Sequence, residues 1–424
     1  MTTHIHPLAS ESLAGLQPWV HPEGHRLDAY ALSQQQQQQA SISKPPPGFP
    51  AVVDGPMTWS GSGSQGVQLR ILELDESSVA EIEDALQSFH SLELDGDEAS
   101  RGYFPLPNLR EQLEKCALEV HRGSGICIIR GLNPENYTIE DNIVLFLALA
   151  SYIGDQRGLQ GPKGNMLSHI TELKSWTVPR DKRHGIHTND SLPFHNDMGC
   201  EILSIQVRDR ANAGGHTCVA SAAAIYNHLL RSNPRVLHAL VENNWPIQAS
   251  SKKGSPFVLC PLLEFHDDHL FISMDPARIG PHPSDSTNSI PSLTSIQQEA
   301  LAALQTAARK HQVRLETRPG DLLFLNNLGL LHARESYQDG PSSSRHLVRL
   351  WLRNTQLGWP IPRSMAMPWD AAFGEPAARV VNKYYPVMPM PEYMGSKFSN
   401  GTAAFVADDE SDDDSGGGSP HKAA

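Results

Sequence analysis

The chain has 424 residues, of which 39% are hydrophobic and 19% charged, and its formal net charge is -13. This composition is that of a globular protein, no apolar run approaches the roughly 20 residues that a membrane helix needs, and the length allows one large domain or two. The segment "DDESDDD" (408–414) alone supplies six of the negative charges, so the remainder is mildly acidic and lacks the clustered Lys and Arg of nucleic-acid-binding proteins.

The two ends of the chain differ in composition from its body. A glutamine tract at 34–39 leads into "KPPPGFP", and neither this stretch nor the acidic end can bury enough apolar area to order itself. We predict a disordered Gln- and Pro-rich arm over 1–45, a single domain over 46–395 and a disordered acidic tail over 396–424. The start shows no secretory pattern and the five scattered cysteines form no CxxC pair, so we expect a cytoplasmic protein, with a nuclear location left open.

Hydrophobic periodicity indicates that two helices and a strand open the domain. The segments "DESSVAEIEDALQSFH" and "NLREQLEKCALEVHRG" repeat apolar residues at helical spacing, with Ser77 or Ser78 as the first cap, and lead into the strand "GSGICIIRGL". Residues 154–194 are then polar and rich in Gly, Pro, Lys and Arg, apart from the apolar interruption "NMLSHITEL". Because long loops in compact domains are often functional, we predict that 154–194 is a lid or insert.

Strands and helices continue through the second half of the chain. The strand "CEILSIQV" precedes the helices "SAAAIYNHLLRS" and "NPRVLHALVEN" and the short paired strands in "SPFVLCPLLEF" and "HLFISM". Thr294 and Gln297 have the spacing of a capping box at the start of "TSIQQEALAALQTAARKHQ", and the strands "DLLFLNN" and "RHLVRLWLRN" follow. Successive strands flanked by helices, without GxGxxG or GxxxxGK[ST], favour an α+β fold with a β-barrel or sandwich over a doubly wound nucleotide-binding sheet.

A His-x-Asp pair, whose side chains project from one face of a strand and can reach one ion, occurs twice. The pair His266 and Asp268 in "EFHDDHLFISM" is typical of a tight polar turn between strands, whereas His195 and Asp197 in "SLPFHNDMGCEI" enter an apolar strand. A further histidine, His332, lies in "PGDLLFLNNLGLLHARESY". Two imidazoles and one carboxylate are the ligand set of non-heme Fe(II) oxygenases, whereas structural zinc needs four ligands that usually include thiolates.

The strand "RHLVRLWLRN" carries its arginines on one face. Alternation places Arg345, Arg349 and Arg353 on one side and mainly apolar residues on the other, in a protein whose excess charge is negative. A guanidinium binds a carboxylate through two parallel hydrogen bonds, so this face suits a dicarboxylate cosubstrate held inside a barrel. A solvated edge on which these arginines pair with Asp or Glu is the alternative.

Taken together, the motifs "LPFHND", "GGHT", "PGDLLFLNNLGLLHAR" and "RHLVRLWLR", in this order between about residues 100 and 355, resemble the TauD/TfdA-like Fe(II)/2-oxoglutarate dioxygenases, the family of taurine dioxygenase and clavaminate synthase. The resemblance implies a double-stranded β-helix, a jelly-roll or cupin-like barrel with flanking helices. It also implies that His195, Asp197 and His332 hold Fe(II) and that Thr217 and Arg345 bind 2-oxoglutarate.

By the same resemblance, O2 and 2-oxoglutarate are consumed, succinate and CO2 are released, and a small molecule is hydroxylated, desaturated or cyclised. Arg349 matches the family's second inward arginine, which can serve the cosubstrate or an anionic or amino-acid-like substrate. Asn189 and Trp176, in the predicted lid, are further candidate substrate contacts, although Trp176 could equally pack on the barrel. Asn196 stands where the family usually has Thr, and we expect little effect because its side chain points away from the ligand face.

Two other functions are left open. The first is a catalytically silent binding or regulatory protein on the same fold, which the Gln tract and acidic tail would suit. The second is a metal-dependent hydrolase that uses the same three ligands with zinc. We expect a small-molecule substrate, by analogy one of secondary metabolism, and no nucleic-acid or membrane partner; a homo-oligomer is left open.

Overall fold

A computed structural model describes residues 44–61, 66–161, 164–249, 257–281, 289–380 and 385–395, and from Pro45 onwards these residues belong to one compact unit. The predicted N-terminal arm lies outside the described residues except for its last two positions, and the predicted acidic tail lies wholly outside them. Both domain boundaries therefore stay predictions. In the described ranges no helix is both long enough and apolar enough to span a membrane.

The helices of the described residues are α1 Glu76–Ser91, α2 Arg110–Arg122, α3 Ile139–Ala150, α4 Ala222–Ser232, α5 Pro234–Val241, α6 Ser295–His311, α7 Ala366–Phe373 and α8 Glu375–Ala378. The strands of the same ranges are β1 Arg70–Glu73, β2 Ile126–Arg130, β3 Gln156–Arg157, β4 Leu167–Thr171, β5 Leu192–His195, β6 Ile202–Asp209, β7 Ala213–Gly214, β8 Thr217–Ser221, β9 Trp245–Gln248, β10 Phe257–Cys260, β11 Leu263–His266, β12 His269–Ile272, β13 Val313–Leu315, β14 Leu322–Asn326, β15 Leu330–Arg334, β16 Tyr337–Gln338 and β17 His346–Arg353. Each predicted helix and strand is present, except that "SPFVLCPLLEF" forms two strands, β10 and β11, which pair with β9 and β12.

Two large sheets organise the described strands. The larger has the order β1-β2-β14-β6-β17-β3, with β4 also paired to β17, and the smaller has the order β13-β8-β15-β5. Only β1 and β2 pair in parallel within the larger sheet, which confirms that the sheet is not doubly wound. Strand β17 therefore lies inside the sheet, between β6 on one side and β3 and β4 on the other.

Apolar side chains arrange the unit in four layers. Between the sheets, Leu203, Leu323 and Trp351 of the larger sheet pack against Val219 and Leu330 of the smaller. Side chains on the opposite face of the larger sheet pack with α1, α2 and α3, and those on the opposite face of the smaller sheet pack with α4, α5 and α6. The mixed fold with outer helices is thus confirmed, and the inner faces of the two sheets pack against each other.

Cap chemistry explains two helix starts. Thr294 and Gln297 form the predicted capping box of α6. Helix α1 is capped by Asp75 rather than by Ser77 or Ser78, because the Asp75 carboxylate accepts from the Ser78 N–H at 2.8 Å. Ser77 and Ser78 follow Asp75 by two and three residues and lie inside the helix, so the predicted cap was wrong by two or three residues.

Helix α3 was not predicted. All nine residues from 142 to 150 are buried, so α3 has no polar face and shows no amphipathic stripe. An apolar run of this kind cannot be assigned to helix or strand by periodicity. The local signal was the N-cap Thr138, whose hydroxyl accepts from the Asp141 N–H at 3.0 Å.

The insert predicted over 154–194 is not one continuous loop. Strands β3 and β4 lie within it and pair with β17, so the interruption "NMLSHITEL" is an edge strand of the larger sheet. The longest irregular part is the segment 172–191, which contains two 3-10 turns. The second His-x-Asp pair is a hairpin turn, as predicted: Asp267 and Asp268 have φ angles of 47° and 59° between β11 and β12.

A largely buried imidazole pair joins β4 to β17. Nδ1 of His169 lies 2.8 Å from Nε2 of His346, and Nε2 of His169 donates to the carbonyl of Pro386 at 2.8 Å. Burial lowers the pKa of His169 to about 4 and that of His346 to about 3. The two histidines of the unfolded chain take up protons near pH 6.5, whereas those of the folded chain do so only near pH 3 to 4. The free energy of unfolding is therefore highest above about pH 6.5 and decreases as the pH falls towards 3.

Replacing His346 by glutamine should therefore make the free energy of unfolding depend less steeply on pH under acidic conditions. Between about pH 6 and pH 4.5 the free energy of unfolding should fall less steeply than in the wild type, by up to about 1.4 kcal/mol per pH unit, the value for one proton. Denaturant unfolding at a series of pH values measures this slope. His266→Gln, at an exposed turn, controls for the loss of a histidine, and an unchanged slope in His346→Gln would contradict the prediction.

Candidate metal centre

Strands β5 and β15 of the smaller sheet bring two histidines side by side. His195 ends β5, His332 lies within β15, and the two are direct cross-strand partners with ring centroids 4.2 Å apart. Oδ1 of Asp197 lies 3.9 Å from Nε2 of His195 and 3.8 Å from Nε2 of His332. In the described part of the chain, these three form the one group of potential metal ligands whose donor atoms all lie within 4.8 Å of one another.

The second oxygen of Asp197 is already occupied. Oδ2 accepts hydrogen bonds from Nη1 of Arg349 at 2.9 Å and from the indole N–H of Trp351 at 2.8 Å. Oδ1 is therefore the oxygen left for an ion. Nδ1 of His195 donates to the carbonyl of Pro193 at 2.8 Å, so Nε2 is the nitrogen of this imidazole that faces a metal position.

The neighbouring Arg349 keeps Asp197 ionised, and burial keeps His332 neutral. Burial raises the pKa of Asp197, but the charge of Arg349 opposes burial and, with the hydrogen bond from the Trp351 indole, helps to hold this pKa at about 2. Burial lowers the pKa of His332 to about 3. An ionised carboxylate and neutral imidazoles are what a divalent metal requires, and this donor set fits Fe(II).

Asn196 and Asn327 fix the turn that carries Asp197. The buried Asn196 amide donates to the carbonyls of Ile272 at 2.8 Å and Asn327 at 2.9 Å, and its oxygen accepts from the Met274 N–H at 2.6 Å. Asn327 in turn accepts from the Asp197 N–H at 3.0 Å and donates to the Asp197 carbonyl at 2.7 Å. Asn196 points away from the ligands, as predicted, but it satisfies three buried backbone groups, a role that the sequence did not reveal.

Replacing Asn196 by alanine should lower the free energy of unfolding by about 3 kcal/mol. Three buried main-chain groups would lose their partner, and each such loss costs roughly 1 kcal/mol or more. Chemical denaturation measures the change. Asn108→Ala, at an exposed position, should change stability by less than about 0.5 kcal/mol, and equal stability of the two variants would show that the Asn196 bonds contribute nothing.

A cavity beside the two histidines brings the predicted cosubstrate residues together. Its polar lining contains His195, His332, Thr217, Arg345 and Arg349. Thr217 begins β8 in the smaller sheet, whereas the two arginines belong to β17 and the residue before it, so they meet because the inner faces of the sheets oppose each other. The apolar lining consists of Ile170, Ile186, Leu192, Leu203, Ile205, Ala333 and Leu347. A larger surface depression near Asp97, Tyr103 and Phe373 contains none of the predicted site residues.

Arg345 is a buried cation with an incomplete set of partners. It is 5% exposed, its Nε donates to the carbonyl of Gly215 at 3.0 Å, and its Nη1 has no hydrogen-bond partner among the described residues. Burial lowers the pKa of Arg345 to about 10. Because an unpaired buried cation is costly, this guanidinium fits a carboxylate ligand.

Trp176 and Asn189, the predicted substrate contacts of the lid, do not line this cavity. The Trp176 indole donates to the carbonyl of Met390 at 3.0 Å, and the main-chain carbonyl of Asn189 accepts from β16. Trp176 therefore packs against the C-terminal segment in this conformation, and substrate contact by either residue stays a prediction. The predicted lid contributes Ile186 and Leu192 to the lining instead.

Three residues of the site were missed by sequence reasoning: Trp351, Arg334 and Gln160. Trp351 follows Arg349 by two residues on β17, and Arg334 follows His332 by two residues on β15, so alternation could have found both. Gln160, whose Oε1 accepts from Nε of Arg349 at 2.8 Å, lies after β3 in an irregular stretch that carries no such signal.

The fold and this cluster define the class of non-heme iron oxygenases. A family model described as "Taurine catabolism dioxygenase TauD, TfdA family" matches residues 90–351, more than half of the chain. The chain therefore belongs to the TauD/TfdA family. It is a dioxygenase that depends on Fe(II) and 2-oxoglutarate and uses O2.

Individual relatives agree with this assignment. The taurine hydroxylase-like protein SAT17 of Stachybotrys chartarum is 34% identical over 328 residues, which cover 75% of this chain and 84% of that protein. The FR-33289 synthase of Streptomyces rubellomurinus is 24% identical over 328 residues, covering 74% of this chain and 94% of that protein.

Solved structures show the same fold at low sequence identity. An asparagine oxygenase in complex with Fe(II), hydroxyasparagine and succinate has a TM-score of 0.52 at 15% identity, covering 70% of this chain and 96% of the other. The non-heme iron oxygenase OrfP in complex with Fe has a TM-score of 0.50 at 14% identity, covering 68% of this chain and 94% of the other.

Proposed function

We propose that this dioxygenase oxidises a C–H bond of a small anionic or amino-acid-like metabolite, by hydroxylation, desaturation or ring closure, at Fe(II) held by His195, Asp197 and His332. One observation carries the site assignment: Oδ1 of Asp197 faces two imidazole Nε2 atoms while its Oδ2 is held by Arg349 and Trp351. When bound, the iron supplies the oxidising chemistry, with 2-oxoglutarate and O2 as cosubstrates and succinate and CO2 as products.

The residues of the chain bind and orient the reactants. His195, Asp197 and His332 would hold the ion with three protein ligands, a number that would leave room for the cosubstrates. The two donors on Oδ2 keep the Asp197 carboxylate in one orientation, as outer hydrogen bonds do in metal sites. The apolar lining next to the histidines excludes water from the space in which the substrate is oxidised.

Thr217 and Arg345 are proposed to bind a carboxylate of 2-oxoglutarate. The support is that both line the cavity beside the histidines and that Nη1 of Arg345 is buried without a partner in the described chain. A bidentate pair with a carboxylate would satisfy this nitrogen and compensate the buried charge. The hydroxyl of Thr217 can donate to the same carboxylate.

Arg349 is proposed to recognise an acidic group of the substrate, in addition to its bond with Asp197. Its Nη2 is buried and has no partner among the described residues, and its side chain lines the cavity. The Stachybotrys relative is named for its likeness to taurine hydroxylases, and taurine joins an amine to a sulfonate. Contacts from Trp176 and Asn189 would require a movement of segment 172–191.

The two sheets are proposed to be the halves of a double-stranded β-helix. Antiparallel pairing of β5, β15 and β8 in one sheet, opposite β14, β6 and β17 in the other, supports this arrangement. The metal ligands lie on or beside β5 and β15 of one half, and Arg345 and Arg349 lie on or beside β17 of the other. Such a scaffold holds both sets of residues at fixed positions.

Anaerobic titration tests the proposal. Fe(II) and 2-oxoglutarate should together give the weak visible charge-transfer band of the chelate, and folded protein without this band would contradict the proposed site. A zinc hydrolase using the same ligands would instead be active without O2 or 2-oxoglutarate, and a silent binding protein would release no succinate with any substrate. Screening amino acids, carboxylates and sulfonates for substrate-triggered succinate release then identifies the substrate class.

A further inference from the structure

We propose that Arg334 is a positioning residue that couples the segment 185–192 to the cosubstrate pocket, so that bound 2-oxoglutarate stabilises this segment over the metal centre. The inference rests on the proposed function, since it places a cosubstrate carboxylate at Arg345. It concerns how firmly the segment 185–192 is held; this segment contributes Ile186 and Leu192 to the cavity lining.

One edge of the Arg334 guanidinium holds the segment. Arg334 is 5% exposed and follows His332 by two residues on β15. Its Nη2 donates to three main-chain carbonyls that precede β5, those of Gly185 at 3.1 Å, Thr188 at 2.9 Å and Asp190. A single nitrogen therefore joins both ends of the turn that leads into the metal ligand His195.

The rest of the guanidinium belongs to the cosubstrate pocket. Arg334 lines the cavity together with Thr217 and Arg345, and its Nε and Nη1 are buried without a partner in the described part of the chain. The guanidinium of Arg334 lies 5.3 Å from the ring centre of Tyr337, and that of Arg345 lies 5.4 Å from the same ring. Two buried cations repel each other here, and a carboxylate between or beside them would offset that repulsion.

The side of the Arg334 guanidinium that bonds the segment is therefore coupled to the side that lines the pocket. Without an anion, the charge of Arg345 disfavours the position of Arg334 that holds the segment; with 2-oxoglutarate bound, that position is stabilised. A purely structural clamp behaves differently, because losing it would loosen the segment to the same degree with and without 2-oxoglutarate.

Trypsin can report the state of the segment, because exposed Arg180 and Lys182 precede it. With Mn(II) in place of iron to prevent turnover, saturating 2-oxoglutarate should slow cleavage of the wild-type full chain at these residues by about fivefold, as followed by mass spectrometry, since proteolysis tracks the population of the open segment. In Arg334→Gln cleavage should be fast with and without 2-oxoglutarate, and the Kd of 2-oxoglutarate should rise about tenfold, a change of about 1.4 kcal/mol.

Two further variants sharpen the result. Arg334→Lys keeps the charge, but its single nitrogen cannot bond the three carbonyls and face the pocket at the same time. It should therefore retain more 2-oxoglutarate affinity than Arg334→Gln yet lose the 2-oxoglutarate-dependent protection. It also replaces Arg334→Gln if circular dichroism shows that the latter is unfolded. Arg314→Gln removes a half-exposed arginine from the neighbouring β13 and should behave as the wild type.

The inference is overturned if Arg334→Gln, or Arg334→Lys in its place, shows the same 2-oxoglutarate-dependent slowing of cleavage as the wild type. A wild-type protein that binds 2-oxoglutarate in the titration without any slowing overturns it as well. Failure of the wild type to bind 2-oxoglutarate would instead refute the proposed function, so the two failures are distinguishable.

Discussion

Replacing Asp197 by alanine should abolish the anaerobic chelate band and lower succinate release by at least about 1000-fold. The variant loses one of three metal ligands, and it also leaves the buried Arg349 without its carboxylate partner, an uncompensated charge that costs about 3 kcal/mol of stability. Metal titration and succinate release measure the first effect, and chemical denaturation measures the second.

The duplicated His-x-Asp pair offers a matched control for the ligand assignment. His195→Ala should lose the band and the succinate release in the same way, whereas His266→Ala, at the turn between β11 and β12, should retain both. Wild-type turnover in both Asp197→Ala and His195→Ala would refute the assignment of the metal ligands.

The second large effect is expected at Arg345. Arg345→Gln should raise the Kd of 2-oxoglutarate about 100-fold, because a buried bidentate hydrogen bond between charged groups is worth roughly 3 kcal/mol. Titration of the Mn(II) protein measures this Kd, and saturating 2-oxoglutarate should restore a substantial part of the turnover. Arg345→Lys should recover only part of the affinity, since an ammonium group binds a carboxylate without the fork geometry.

Arg353 supplies the control for this experiment. It lies on the same face of β17, but its guanidinium packs 4.9 Å from the ring of Trp369 and it does not line the cavity. Arg353→Gln should therefore leave the 2-oxoglutarate affinity within about twofold of the wild type. If Arg345→Gln and Arg353→Gln bind 2-oxoglutarate equally well, Arg345 is not the cosubstrate anchor.

Local patterns predicted the amphipathic elements and failed where the pattern disappears. Helix α6 was readable because an apolar stripe and a capping box agree, whereas the fully buried α3 presents no stripe. Strand β4 was taken for part of a loop, because an edge strand of five residues inside a polar stretch gives a weak signal. Of the strands in the two large sheets, β2, β6, β14 and β17 were predicted, whereas β1, β3, β8, β13 and β15 were not. The strand order was not predicted either, since pairing between distant strands leaves no local mark in the sequence.

The same limit applies to the candidate site: strand alternation predicted some of its residues, whereas contacts between distant segments were not predicted. Alternation along β17 was enough to put Arg345 and Arg349 on one face, and the structure places both at the cavity. That Arg349 would hold Asp197 could not be read from the sequence, because Asp197 lies in the turn after β5 and Arg349 on β17, and they meet only through the packing of one sheet on the other. The acceptors of Arg334 could not be read from the sequence either, because they are main-chain carbonyls and carry no residue signature.

The interior position of β17 sets the order in which the oxygenase can be completed during synthesis. β17 is the last strand of the described chain to leave the ribosome, yet β6 and β4 both hydrogen-bond to it. Until residue 353 has emerged, those two strands present open edges, and such edges invite aggregation. Contacts between residues so distant in sequence also slow folding. We therefore expect chaperone demand to be highest until β17 has paired with β6 and β4.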